Sequence, residues 1–400
     1  MSIMPEIKIQ RVAVTGARGF IGRHLLDRLH REPGYQAVVI GRDEFADPAL
    51  LAALLGGCDF VVHCAGVNRG EATIVESANL ELADRLIAAL EAAAAKPALL
   101  VYTSSTQERL DNPYGRGKRL AGEALAAWGK GMGVPVCSLV IPNVFGDGGR
   151  PFYNSVVATF CHQLAAGEEP KIMEDRRVPL VYVNRVVAQI MECLQSPAHA
   201  PASLDIKADC EILVSEVLTL LRRYRSALLE QGAVPAFASR FELELYHTFR
   251  AYLGAAALEW RAQPRSDARG TLFEVIKQVG AGQVFFSTTK PGVTRGNHYH
   301  TRKIEKFCVV QGEAIIRMRR IGTSEVLEFP VSGAVPAAVE MPVYFAHHIE
   351  NTGPGELVTL FWTNEVFDAS DSDTFMEDVR PAALALTVIR PALPAPSLVL

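Results

Sequence analysis

The sequence predicts two folds in series: an α/β unit built on a mostly parallel, doubly wound sheet, then an all-β unit of the antiparallel barrel or jelly-roll kind. Three observations carry this. Apolar strand-like runs alternate with helical stretches from Arg11 onward. Near Trp260-Arg261-Ala262-Gln263-Pro264-Arg265 the composition shifts to short alternating runs separated by Gly, Pro and Asn. Each half also carries its own cluster: glycines after the first strand, and three histidines with a glutamate late in the chain. The expected limits are 1–260 and 266–379, with a tail at 380–400.

The 400 residues exceed one small core, and an apolar fraction of 49% with 21% charged residues fits a globular chain. Forty basic residues against 44 acidic ones give a net charge of -4, which argues against a nucleic-acid partner. Seven scattered cysteines without a CxxC pair read as reduced thiols. No leader is read in Met1–Gln10, and no apolar run is long enough for a membrane helix. A cytoplasmic location without membrane association is expected.

Taken in order, Arg11–Thr15 is a buried strand, and Gly16, Gly19 and Gly22 punctuate the turn into a helix from Ile21 to Arg31. In TGxxGxxG, glycine lets the backbone approach a pyrophosphate, and the new helix offers unpaired N–H groups to its charge. Thr15, Gly16, Arg18, Gly19, Phe20, Ile21 and Gly22 are therefore the candidate dinucleotide loop. The second strand, Ala37–Ile40, ends at Gly41-Arg42, where an NAD-selective site usually has an acid. Arg42 with Arg18 would clamp a 2′-phosphate, favouring NADPH, while Asp43 leaves the ribose contact of NADH open. Further alternation follows at 59–63, 79–94 and 99–103.

Ser104 and Ser105 fall at a strand end, and Tyr114 and Lys118 share one face of the next helix. Hydride transfer to a carbonyl needs a proton for the forming alkoxide. A tyrosine supplies it when an ammonium lowers its pKa, and a serine hydroxyl holds the same oxygen.

With His63-Cys64-Ala65-Gly66 and Pro142-Asn143-Val144-Phe145-Gly146 added, residues 11 to 250 resemble an extended short-chain dehydrogenase/reductase acting on nucleotide sugars. The resemblance implies a Rossmann-type domain with Tyr114 as acid, Lys118 orienting the nicotinamide ribose, Ser105 bonding the reacting oxygen, and Ala65 at the cofactor. It also places Asn143, Asn154, Arg176 and Arg177 with the nucleotide diphosphate and sugar. The serine-to-tyrosine stretch is shorter than the family's, so Ser104 and Thr106 remain neighbours of Ser105 for that role. Asn184 stands where relatives often carry aspartate.

In the second half, short runs at 282–288, 306–310, 314–318 and 326–329 read as strands. His298 and His300 are two apart on an extended segment and share a face, and Glu305 and His347 can converge on them across a barrel. Three imidazoles with a carboxylate suit Zn²⁺, and also Fe, Mn or Ni. His348 is expected to point away from His347, and Met318, Met341 and Phe345 to be core. The spacing from Gly292 through His298, His300 and Glu305 to Gly312, with Pro342, His347 and Asn351, is similar to the cupin pattern. Tyr344 replaces its usual glycine.

With Asp111–Gly115, Tyr153–Val156, Lys290–Gly292, Gly296–His298 and Thr363–Glu365, residues 11–379 resemble bifunctional capsular polysaccharide synthesis enzymes of the CapF type. That resemblance implies a homodimer and a UDP-linked 4-keto-6-deoxy-N-acetyl-hexosamine substrate. The cupin would epimerise C3 and the first domain would reduce C4 with NADPH, giving a UDP-N-acetyl-L-pneumosamine or talosamine product. Lys303, Glu305, Lys306, Tyr299 and His348 are the candidate bases. Two alternatives stay open: a reductase with a structural or sugar-binding cupin, and a C4 epimerase with tightly held NAD.

Overall fold

The computed structural model describes residues 9–261, 265–267, 270–272, 277–278, 282–365, 367–381 and 387–389, with side chains described outside 260–281 and 382–400. Two compact units emerge, Met1–Thr159 with Ile172–Val217, and Phe160–Lys171 with Leu218–Leu400.

The first unit is a parallel sheet of β1 (Gln10–Thr15), β2 (Tyr35–Ile40), β3 (Phe60–His63), β4 (Leu99–Thr103), β5 (Val136–Val140) and the strand Ser203–Asp205. The order is β2-β1-β3-β4-β5 and then Ser203–Asp205. Strands β3 and β4 are buried along their whole length, because helices cover both faces of a parallel sheet. The helices are α1 (Phe20–Arg31), α2 (Arg42–Ala46), α3 (Pro48–Leu55), α4 (Ala72–Ala92) and α5 (Pro113–Met132). Two cores result: Val12, Val14, Leu25 and Val62 on one face, and Ala13, Val61, Leu86 and Leu125 on the other. The strand order reverses between β1 and β3, the place where such sheets open a crevice at their carboxyl ends. Helix α4 starts at Ala72, earlier than the Asn79 expected from sequence.

The second unit is an antiparallel sandwich. One sheet orders Glu259–Arg261, Ala337–Met341, Glu305–Gln311, Leu357–Thr363 and Gln283–Thr289. The other orders Phe375–Met376, Thr294–Tyr299, Phe345–Asn351, Glu313–Arg320, Glu325–Ser332 and Thr387–Ile389. Phe307, Ile316, Met318, Phe329, Met341 and Phe361 fill the space between them, with Phe345 packed at the edge. The helix Arg240–Arg250, read from sequence as part of the first domain, is tied to this sandwich by a buried Arg250–Glu340 ion pair. Strand Glu259–Arg261 pairs with Ala337–Val339. Residues 218–261 therefore pack with the β unit, and the compact units part near 217 instead of 260. The tail lies largely outside the described residues, but Thr387–Ile389 pairs in parallel with Glu325–Leu327.

All seven cysteines are free. Among the described residues no helix is long and apolar enough to cross a membrane.

Candidate functional site

The glycine loop runs from the end of β1 into α1. Gly16 takes φ +64, and a Cβ there would stand 2.6 Å from the Ala65 nitrogen; one on Gly22 would stand 2.4 Å from the Gly16 oxygen. Side chains are thus excluded at both positions by the close approach of the chain's own backbone. Gly19 caps α1 without a side-chain hydrogen bond, so the first turn keeps its N–H groups for an anion. Thr15 hydrogen-bonds His63 Nδ1 at 2.7 Å, and Thr103 Oγ1 donates to the His63 carbonyl at 3.1 Å, locking β1, β3 and β4 at the crevice floor. Burial, with Lys118 nearby, pushes the His63 imidazole down to about 3, so it stays neutral. Ile21 packs into the core and Phe20 meets the His24 ring edge-on at 5.5 Å.

Arg18 and Arg42 are both exposed at the end of β2, and the Arg18 guanidinium would lie 3.7 Å from a Cβ on Gly41. Glu44 caps this turn, accepting from the Gly41 N–H at 2.9 Å. This cradle fits a dinucleotide: Thr15, Gly16, Gly19, Phe20, Ile21, Gly22 and Ala65 would hold it, with the arginines at the adenosine end.

Asn112 starts α5 by accepting from the Gly115 N–H at 2.8 Å, which sets Tyr114 and Lys118 on one helical face. The two serines separate by their bonds. Ser104 donates to Glu108, whereas Ser105 Oγ accepts from the Gln107 N–H at 3.2 Å and acts on Tyr114, lowering its pKa. Burial pushes the Tyr114 phenol up to about 12, against the Ser105 bond that lowers it, with Tyr153 nearby raising it. Tyr114 therefore carries its proton, and the expected lowering by an ammonium is not what dominates here. Lys118 is buried with its Nζ 4.3 Å over the Tyr102 ring, and burial pushes it down to about 8.

The nucleotide-side expectations land on the exposed surface of the same unit. Asn143 donates to the Pro179 carbonyl at 3.2 Å. Asn154, at φ 54, donates to the Asn68 carbonyl at 2.7 Å. Arg176 faces Glu174 at 3.8 Å, and Arg177 donates to the Glu211 carbonyl at 3.1 Å. Tyr153, which the sequence motif alone does not mark as a site residue, is close enough to raise the Tyr114 pKa, and its ring lies 4.9 Å under the Arg150 guanidinium.

In the second unit, His298, His300, Glu305 and His347 bring their ligand atoms within 4.8 Å of one another. A bulge produces this: Gly296 takes φ +115 and Asn297 φ 60, shifting the register so that His298 faces His347. A Cβ on Gly296 would stand 2.7 Å from the His347 oxygen, so only glycine fits there. His300 Nδ1 donates to the Asp373 carbonyl at 2.6 Å and His347 Nδ1 to the Phe345 carbonyl at 2.9 Å. Both Nε2 atoms therefore turn inward, each 3.2 Å from Glu305 Oε2. All three atoms are buried without a proper hydrogen-bond partner. Acceptors facing one another out of water need a cation, and this donor set fits a divalent metal of the zinc type. Burial, with His347 and His300 beside it, pushes His298 down to about 3, leaving its lone pair available.

Of the five candidate bases, Lys306 points to the other face of its strand, toward Glu340 at 3.6 Å. His348 also turns away, bonding Asn297 Oδ1 at 2.9 Å. Lys303 Nζ donates to the Ser372 carbonyl, Tyr299 packs with Tyr344 and Val343, and Glu305 faces the histidines. Tyr344 keeps the left-handed turn of the glycine it replaces, at φ 62. That conformation costs about 1–2 kcal/mol in a non-glycine residue, offset by burying the ring near Tyr299 at 6.4 Å. Asn351 closes the neighbouring turn, donating to the Thr289 and Gly355 carbonyls.

Residues 12–206 match the NAD dependent epimerase/dehydratase family, and residues 265–375 match the polysaccharide biosynthesis C-terminal domain. The UDP-2-acetamido-2,6-beta-L-arabino-hexul-4-ose reductase of Pseudomonas aeruginosa is 36% identical over 375 residues, covering 93% of this chain and 100% of that protein. The capsular polysaccharide assembling protein CapF of Staphylococcus aureus superposes with a TM-score of 0.59 at 32% identity, over 92% of this chain and 100% of that one. A ceramide reductase of Caulobacter vibrioides is 28% identical over 50% of this chain and 65% of its own length. A parallel α/β unit followed by an antiparallel β unit, with identities of 36% and 32% to two relatives that this chain covers over their whole length, places the chain in the CapF family of polysaccharide-biosynthesis reductases.

Proposed function

We propose that the chain is a bifunctional nucleotide-sugar enzyme. Its second unit epimerises C3 of UDP-2-acetamido-2,6-dideoxy-L-arabino-hexos-4-ulose, and its first unit reduces the C4 ketone to a UDP-N-acetyl-L-pneumosamine or talosamine type product. The observation that carries the reading is Tyr114, buried on one helical face with Lys118 and engaged by Ser105 from the end of β4. The end-to-end identity to a reductase named for such a UDP-sugar supports the substrate class.

When bound, NADPH supplies the hydride. Ser105 holds the C4 oxygen by a hydrogen bond and Tyr114 gives it the phenolic proton. Burial keeps that proton on Tyr114 until an alkoxide forms to take it. Lys118 holds the ribose of the cofactor, while Arg18 and Arg42 select a 2′-phosphate. Asn143, Asn154, Arg176 and Arg177 would take the nucleotide diphosphate and sugar on the exposed side of the same unit.

In the second unit His298, His300, Glu305 and His347 would hold a divalent cation, zinc by preference. When bound, that ion stabilises negative charge developing on a carbonyl oxygen next to an acidic C–H. The surrounding phenylalanines, Phe307 5.7 Å from His347 and Phe361 4.4 Å from Phe307, keep the site apolar and strengthen its electrostatics.

The test incubates the protein with the 4-keto sugar in D₂O without NADPH and follows C3 by NMR. Deuterium at C3, lost in His298→Ala, supports an epimerising cupin. No exchange, followed by NADPH oxidation once it is added, leaves a reductase whose cupin does no chemistry.

A further inference from the structure

We propose that Asp373 is a positioning residue for the metal centre: its carboxylate fixes the loop that joins His300 to Glu305. The inference rests on the reading that the histidine cluster holds a divalent cation. Asp373 lies far along the chain from the cupin spacing and was invisible to it.

Its carboxylate accepts from three successive backbone N–H groups, those of Thr301 at 3.1 Å, Arg302 at 2.9 Å and Lys303 at 3.0 Å, and from Thr301 Oγ1 at 2.6 Å. Its backbone carbonyl takes the Nδ1 proton of His300 at 2.6 Å. One residue thus ties down the loop between two ligands and sets the ring orientation of the first. Asp373 is 5% exposed and sits at φ 45, a conformation aspartate tolerates better than most residues. Neighbours clamp the same stretch. Arg302 pairs with Glu365 at 3.0 Å and Asp371 at 2.9 Å, Lys303 donates to the Ser372 carbonyl, and Phe375–Met376 pairs with the strand bearing His298.

The loop carries His300 and Glu305 at its two ends, and their ligand atoms must meet at 3.2 Å. Without the carboxylate, three N–H groups lose their common acceptor. The loop then relaxes toward water and draws the two ligands apart. Residues that orient metal ligands from behind typically matter about 10–100-fold in metal affinity.

The full chain, stripped with a chelator, is titrated with Co²⁺ while its visible absorption bands are followed. Asp373→Asn keeps the volume and tolerates the positive φ, while Asp373→Ala removes both carboxylate acceptors and leaves the backbone carbonyl that His300 uses. Asp368→Asn, an exposed residue whose carboxylate bonds Ser370, serves as the control. The expected result is Co²⁺ affinity about tenfold weaker in Asp373→Asn and up to about 100-fold weaker in Asp373→Ala, with shifted bands in both and wild-type behaviour in the control. If Asp373→Ala does not fold, Asp373→Asn decides alone. A merely structural role would lower the melting temperature of the metal-free protein yet leave the affinity and bands of Asp373→Asn at wild-type values, and that result overturns the inference. Wild-type protein that binds no Co²⁺ removes the metal reading and this inference with it.

Discussion

Replacing Glu340 by Gln should be among the most destabilising single changes in the second unit. Glu340 is 3% exposed, and its carboxylate stands 2.5 Å from Arg250 Nε and 3.6 Å from Lys306 Nζ. With an effective dielectric near 20, Coulomb's law gives about 7 kcal/mol for the first contact and about 5 kcal/mol for the second. Burying the carboxylate itself costs several kcal/mol, so the net loss on removing it is about 3–5 kcal/mol. What remains is two buried cations, Arg250 and Lys306, that have lost the carboxylate they share. Lys306, already pushed below its ordinary value of 10.5 by burial against the attraction of Glu340, would fall further. The sign follows directly. Between that lowered value and 10.5 the unfolded chain binds a proton that the folded chain does not, so stability rises with pH. The deficit of the variant should therefore shrink as pH rises from neutrality toward 10. Urea unfolding followed by the fluorescence of Trp362, buried in the same unit, reads both effects. A loss below about 1 kcal/mol, the scale of an exposed pair, or a deficit that grows with pH, refutes the reasoning. The triple change Arg250→Met, Lys306→Met, Glu340→Leu should recover most of the loss, since apolar replacement of a buried ion cluster is often near neutral.

Tyr114→Phe should lower kcat for reduction by about 10²–10⁴-fold while leaving NADPH affinity within twofold or so of wild type; equal losses in both would remove Tyr114 from the proton-donor role. Burial pushes Lys118 down to about 8 in the folded chain, against 10.5 ordinarily. From about 8 upward kcat/KM should fall as the ammonium is lost, while stability rises through the same window because the unfolded chain then binds more protons; a flat rate profile to pH 9.5 or so would contradict this. Gly22→Ala forces a Cβ to within 2.4 Å of the Gly16 oxygen, so NADPH titrated by fluorescence should bind at least about tenfold more weakly, the scale of one lost charge-assisted contact. Arg18→Ala with Arg42→Ala should erase the preference for NADPH over NADH, measured as the ratio of kcat/KM values.

The sequence determined both fold classes and both clusters, because these rest on local rules. Continuous apolar strands imply a parallel sheet, the glycine spacing implies a backbone cradle, and the 298–312 spacing puts two imidazoles and a carboxylate within reach of one face. Tertiary structure decided what depends on distant partners. Ser105 is distinguished from Ser104 only because Glu108 engages one and Tyr114 the other. Lys306 and His348 leave the list of bases because strand alternation and a bulge turn them outward, toward Glu340 and Asn297. The helix Arg240–Arg250 joined the β unit through Glu340, an ion pair between residues 90 apart that no periodicity reports. Asp373 acts on a loop some 70 residues before it, through backbone N–H groups that any residue type carries. A sequence displays side-chain chemistry and its spacing; which backbone groups a carboxylate meets is fixed only once the chain has folded back on itself.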